Sequence, residues 1–95
     1  MTWTFEATLW AWDEDRPDAW IFVSLPVEVS EDVRELSGPR RGFGSVPVEV
    51  SLGSSTWRTS VFPGTDAYVL PLKRAVRRAQ GIDLGDVVTL TLRLT

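Results

Sequence analysis

The 95-residue chain contains no cysteine and no histidine. Without cysteine it has no disulfide, no thiolate nucleophile and no cysteine metal site. Without histidine it lacks the commonest general base, the usual zinc ligand and the side chain that titrates near neutral pH. A serine–histidine triad is excluded, and a Ser60–Lys73 dyad is conceivable by residue type alone. We expect no enzyme, no catalytic residue, no metal and no cofactor.

Long apolar segments are absent as well. No run approaches the roughly 18 apolar residues of a membrane-spanning helix, so we expect no membrane partner. Residues 1–6 lack the basic start and apolar run of a signal peptide, and the absence of cysteine favours a cytoplasmic location. The net charge of −3 disfavours nucleic acid as a partner, although a local basic patch is compatible with it.

Aromatic and aliphatic residues are plentiful: five tryptophans, within a hydrophobic content of 43%. A chain of this length buries only about 60–65% of its unfolded surface, so its core must be used efficiently. Each buried aromatic side chain removes roughly 150–250 Å² from water. We therefore expect one domain over residues 1–95, with the tryptophans contributing much of the packing.

Alternation of apolar and polar residues predicts the strands. In residues 2–12, one face carries Trp3, Phe5, Ala7, Leu9 and Ala11. Further strands are predicted at residues 19–25, 45–52, 56–62, 67–70 and 87–94. The first two strands are predicted to form one hairpin, and residues 45–62 a second hairpin in which Pro47 indicates an edge or a bulge.

Two short helices are predicted between the strands. Ser30 before an acidic turn predicts an N-cap and a helix over residues 31–37, with Val33 and Leu36 facing inward. Pro71 predicts the start of a second helix that ends at Gly81. The inward face of that second helix is predicted as Leu72, Ala75, Val76 and Ala79. The fold class is mainly β, a small closed barrel of five to six strands with two helices.

Four segments cover nearly the whole chain: FEATLW, WIFVSLP, RGFGSVPVEVSLGSSTWRTSVFP and YVLPLKRAVRRAQGIDLGDVVTLTL. Together they resemble the family called domain of unknown function 1905. The resemblance implies a double-split β-barrel, shared in outline with swapped-hairpin regulators that bind DNA as dimers. Some proteins of this kind add a second domain of the bacteriocin-protection type, and functions that need it are not expected of residues 1–95.

Basic residues are concentrated in the second helix. Lys73 and Arg77 are one turn apart, as are Arg74 and Arg78, so each pair projects together. Such pairs suit a phosphate or carboxylate, which arginine contacts with two donors. The alternatives are a solvated helix face, or ion pairs with the acidic residues Glu31, Asp32 and Glu35 of the first helix.

Two further segments carry candidate ligand-binding residues. Residues 40–44 form a basic loop flanked by glycine, in which Arg41 is the candidate, although the loop lacks the ending of a phosphate-binding loop. In residues 57–60, Arg58 and Ser60 share one face of a strand and Trp57 lies on the other. For Arg58, the alternative is a structural pair with a neighbouring glutamate.

The aromatic residues Trp10, Trp12, Trp20 and Tyr68 fit either a small apolar pocket or the core and its rim. Exposure of Trp10 or Trp12 would favour a protein partner. Taken together, the sequence predicts a non-enzymatic ligand-binding or interaction module with an anion-preferring cleft, its partner a small anionic ligand or a protein. The alternative is a DNA-binding regulator, by analogy with the swapped-hairpin barrels.

Overall fold

The alternating segments form one antiparallel sheet. The structure, a computed structural model, describes residues 1–13, 15–16, 20–37 and 44–95. Its elements are β1 (Thr2–Thr8), β2 (Trp10–Ala11), β3 (Ile21–Ser24), α1 (Val27–Leu36), β4 (Val46–Leu52), β5 (Ser55–Pro63), β6 (Tyr68–Pro71), α2 (Arg74–Gln80) and β7 (Val87–Leu94). The mainly β class with two short helices is confirmed.

The strands of this described part follow the order β1-β7-β4-β5-β6-β3-β2 and curl into a half-barrel. The two edge strands, β1 and β2, belong to one N-terminal segment and are separated by Leu9. The Leu9 N–H donates to the Asp86 carbonyl and its own carbonyl accepts from the Gly85 N–H, both at 2.9 Å, so Leu9 is bonded to the turn before β7 while Trp10 turns to β3. This break makes seven strands where the alternation predicted five or six.

The predicted hairpin of residues 2–12 with residues 19–25 is therefore mostly wrong. β1 pairs with β7 along its whole length, and only Trp10 and Ala11 pair with β3. The second hairpin, β4 with β5, is confirmed from Val46 opposite Val61 to Leu52 opposite Ser55. Pro47 lies before the stretch of β4 that pairs with β7, so it occupies a local edge, where a missing N–H costs no ladder bond.

The core lies on the concave side of the sheet. The predicted inward faces supply it: β4 buries every second residue from Val46 to Leu52, and β7 buries Val88, Leu90 and Leu92. Trp57 packs against this core, and its indole Nε1 is buried without a hydrogen-bond partner among the described residues. The neighbouring strands β7, β4 and β5 therefore supply one part of the core, and buried residues of β3 and β6, such as Val23 and Leu70, supply another.

Both helices begin at other residues than predicted. α1 starts at Val27, four residues early, so Ser30 is an interior residue and not its N-cap. Ser30 is buried, and its Oγ accepts the Tyr68 N–H at 3.0 Å, which offsets the cost of burying the hydroxyl and ties α1 to β6. Leu36 is half exposed, while Val33 is fully buried as predicted.

The second helix begins later than predicted. Pro71 ends β6 instead of starting a helix, and α2 begins only at Arg74.

Candidate functional site

Arg58 lies in a cross-strand row of charges on the outer face of the sheet. Its Nε is 3.8 Å from Glu49 Oε2, and Arg93 Nη2 is 2.6 Å from Glu49 Oε1. Glu49 lies opposite both arginines because it is the register partner of Arg58 on β5 and of Arg93 on β7. We call these three residues the Glu49 ladder. Arg58 therefore forms the ion pair with a neighbouring glutamate that the sequence offered as the alternative to a ligand-binding role.

The basic residues of α2 and of its N-cap have different surroundings. We call the N-cap Lys73 together with Arg74, Arg77 and Arg78 the α2 cations. Within the described ranges, none of the four takes part in an ion pair. Pairing with the acidic residues of α1 does not occur there; Asp32, for example, accepts the Trp3 Nε1–H at 3.1 Å. The α2 cations therefore present positive charge that no described carboxylate neutralises by direct contact.

Arg77 is the best fixed of the α2 cations. It is half-buried, and its Nε donates to the Leu72 carbonyl at 3.1 Å. This bond orients the guanidinium and leaves its terminal nitrogens for other acceptors. Of the predicted inward face, Leu72 is buried and Val76 packs against the core, as expected. Ala75 and Ala79 are exposed, and Arg77 and Gln80 are half-buried in their place.

The α2 cations line two adjoining grooves. The arginine groove, of about 470 Å³, is lined by Arg74, Arg77, Arg78, Gly81, Ile82 and Asp83. The Trp20 groove, of about 260 Å³, is lined by Trp20, Ile21, Pro71, Leu72, Lys73, Arg74 and Arg77. Arg74 and Arg77 line both grooves, so the two are contiguous along the helix.

The predicted site residues are thus only partly brought together. Lys73 and Arg77 share the Trp20 groove, as their spacing of one turn suggested. Arg58 and Ser60 line neither groove; Ser60 lies on β5 opposite Pro47. Arg41 lies outside the described residues. The sequence identified Arg74 and Arg78 only as a pair one helical turn apart, and not as candidate site residues. They supply two of the three arginines that line the arginine groove.

Asp83 is the carboxylate that lines the arginine groove. Its Oδ1 accepts the Leu84 N–H at 2.7 Å, and its own N–H donates to Asp86 Oδ2 at 2.8 Å. The left-handed Gly85, with φ of 86°, completes this turn before β7. The carboxylate is thereby engaged in the turn, next to three arginines.

Gln80 attaches the C-terminal end of α2 to the hairpin of β4 and β5. Its Nε2 donates to Ser55 Oγ at 2.8 Å and to Ser54 Oγ at 3.1 Å. Gly53 in that turn has φ of 58°, and a Cβ there would come against the Gln80 amide. Gln80 therefore holds the basic helix in place from its last turn.

One known family covers nearly the whole of this fold. The family described as Domain of unknown function (DUF1905) matches residues 5–92. The chain belongs to this family. A search of curated proteins returned no match. Membership confirms the resemblance seen in the sequence, and it assigns no ligand to the grooves.

Within this family member, the structure separates the aromatic residues into two groups. Tyr68 is a core residue, 2% exposed. Trp10 and Trp12 line an aromatic groove of about 500 Å³ that also includes Phe22 and Asp66. Trp12 is 73% exposed, which is the sign that we expected of a protein contact surface. A protein partner for this surface stays a prediction.

Trp20 lies between these aromatic residues and the α2 cations. Its ring stacks on Phe22, which lines the aromatic groove, and its side chain also lines the Trp20 groove with the α2 cations. It lies there because the Leu72 N–H donates to the Ile21 carbonyl at 2.9 Å, which brings the segment before α2 against the start of β3. No local pattern in the sequence marks that contact.

Two classes of site have no support in the part of the chain that the structure describes. No group of three or more acidic side chains there is arranged to hold a metal ion. No helix there combines the length and apolarity needed to cross a membrane.

Proposed function

We propose that this family member is a non-enzymatic binding module that holds a small anion, such as a phosphate ester, on the α2 cations. The observation that carries the proposal is the half-buried Arg77, oriented by its Nε bond to Leu72 and lining both grooves. A fixed guanidinium loses less conformational freedom on binding than a free one.

The surroundings of Arg77 support the same ligand class. Arg74 and Arg78 lie beside it in the arginine groove, and arginine contacts a phosphate or carboxylate with two parallel donors. The groove volume of about 470 Å³ lies in the range of small-molecule sites. The proposed site therefore keeps Lys73 and Arg77 from the sequence-based set, adds Arg74 and Arg78, and leaves out Arg58 and Ser60.

Isothermal titration with inorganic pyrophosphate tests this proposal. We expect saturable binding that Arg77→Gln weakens by about tenfold, the loss of one charge-assisted contact. Arg58→Gln removes the same charge from the Glu49 ladder and is the matched control, expected to change affinity by less than about twofold. Absence of pyrophosphate binding, or equal weakening by the two variants, would contradict the proposal.

DNA binding is the weaker proposal. It rests on relating this half-barrel to the double-split barrels, and fold analogy is a poor guide to function. A net charge of −3 also opposes a long polyanion, whereas a small ligand meets only the local charge of α2. A gel-shift titration at low salt separates the two, since salt-sensitive retardation of duplex DNA is expected only of the DNA-binding alternative.

A further inference from the structure

Trp20 places an exposed indole next to the α2 cations. It lines the Trp20 groove together with Lys73, Arg74 and Arg77. Trp20 is 59% exposed, which is unusual for so large an apolar side chain in a small domain. An accessible aromatic surface and uncompensated cations in one groove suit a ligand that has a planar ring and an anionic group.

The indole of Trp20 is held in a stack. Its ring lies 5.9 Å from the Phe22 ring at an interplanar angle of 10°, and Phe22 stacks in turn on Trp10 at 5.1 Å. Trp10 is itself fixed, because its Nε1 donates to Ser24 Oγ at 3.0 Å. One face of Trp20 is therefore covered by Phe22, and the exposure of the side chain leaves the other face open.

From this arrangement we infer that the ligand is a nucleoside phosphate, its base stacked on the open face of Trp20 and its phosphates on the α2 cations. The inference rests on the proposed function, and it names the ligand class of the same site. Stacking needs only the π-face that every base has, so the structure does not favour one base over another.

The continuity of the two grooves indicates more than one phosphate. Arg74 and Arg77 line both grooves, at the point where a phosphate chain would pass from one to the other. A first phosphate near Lys73 and Arg77 leaves Arg78 in the arginine groove for a second. We therefore expect a nucleoside diphosphate to bind more tightly than the monophosphate.

A free nucleotide fits better than a strand of nucleic acid. The whole chain carries a net charge of −3, which repels a polyanion at distances beyond the groove. An aliphatic acid, by contrast, could contact the cations but has no planar ring to stack on the indole of Trp20. The nucleotide is the ligand class that engages both the ring and the cations.

Titration calorimetry with four probes tests this inference: ADP, AMP, inorganic pyrophosphate and a short single-stranded oligonucleotide. We expect ADP to bind about tenfold more tightly than pyrophosphate, a factor typical of one base stacked on an aromatic ring. Trp20→Ala should reduce ADP affinity to that of pyrophosphate and leave pyrophosphate affinity unchanged. Trp20→Phe keeps a ring and should retain most of the advantage.

Trp12→Ala is the matched control, since Trp12 is the more exposed tryptophan and lines the aromatic groove instead. It should leave ADP affinity unchanged, and thermal unfolding establishes that each variant folds. If pyrophosphate binds and ADP binds no more tightly, the inference is wrong while the proposed function stands. If neither binds, both fail. Tighter binding of the oligonucleotide than of ADP would overturn the assignment to a free nucleotide.

Discussion

The Glu49 ladder and the α2 cations both gather arginine side chains, and they differ in what surrounds those side chains. In the ladder, Glu49 lies between Arg58 and Arg93 and pairs with both. On α2, Arg77 and its neighbours have no carboxylate in ion-pair contact within the described ranges. Arginine content alone therefore does not indicate a site, and the position of the nearest carboxylate decides which arginines remain available for a ligand.

The two regions also differ in what holds the arginines. Arg58 and Arg93 project from strands, and strand register alone fixes their distance from Glu49. Arg77 depends on contacts from outside α2, namely the Leu72 carbonyl and the attachment of Gln80 to the hairpin turn. The ladder should therefore tolerate changes in α2, whereas the α2 cations should be sensitive to loss of these tertiary contacts.

The largest effect is expected from removing two arginines at once. Arg74→Gln with Arg78→Gln should weaken pyrophosphate binding by about tenfold to a hundredfold, because two charge-assisted contacts are lost. Arg58→Gln with Arg93→Gln lowers the net charge by the same two units and should change affinity by about twofold or less. Calorimetry on both double variants checks this. Equal losses would mean that net charge, and not position, determines binding.

A smaller effect is expected from releasing α2. Gln80→Ala removes the hydrogen bonds to Ser54 and Ser55, and should lower the free energy of unfolding by about 1–2 kcal/mol. Pyrophosphate affinity should fall by about twofold to fivefold, since a less rigid helix loses preorganisation. Urea unfolding and calorimetry measure the two quantities.

Ser51→Ala is the control for that experiment. It removes the bond between Ser51 Oγ and Thr56 Oγ1, 3.0 Å long, which lies in the same hairpin and involves no residue of α2. It should lower stability without changing affinity. A loss of affinity in Ser51→Ala as large as in Gln80→Ala would show that hairpin stability, rather than the attachment of α2, is responsible.

The smallest effect is expected from removing the carboxylate of the ladder. Glu49→Gln should change the free energy of unfolding by no more than about 1 kcal/mol, as is usual for exposed ion pairs. It should also create a second pyrophosphate site at Arg58 and Arg93, roughly tenfold weaker than the first because these side chains are exposed and less well fixed. Glu6→Gln, an equal charge change at an exposed position of β1, should create none.

The strands and their inward faces were predictable because alternation is a local property. Every second residue from Val46 to Leu52 and from Val88 to Leu92 faces the core, as the sequence indicates. The strand break at Leu9 and the burial of Ser30 were not predictable, since each depends on a distant partner, Asp86 in one case and Tyr68 in the other. In both cases a tertiary hydrogen bond overrode the local pattern.

The candidate site was likewise predictable only where it depends on local spacing along the chain. Helical spacing placed Lys73 and Arg77 together, and they share a groove. The pair of Arg58 with a glutamate was one of the alternatives in the sequence, but the register between β4 and β5 was needed to identify that glutamate as Glu49. The position of Trp20 depends on the contact of Leu72 with Ile21, residues far apart in sequence.

The most direct test of the difference between the two regions is a titration of the ¹⁵N-labelled protein with pyrophosphate, followed by NMR. The amide and arginine side-chain signals of residues 73–83 should shift in a saturable manner, with the largest change at Arg77. The signals of Glu49, Arg58 and Arg93 should stay in place. Shifts centred on the Glu49 ladder, or no saturable shifts on α2, would contradict the account.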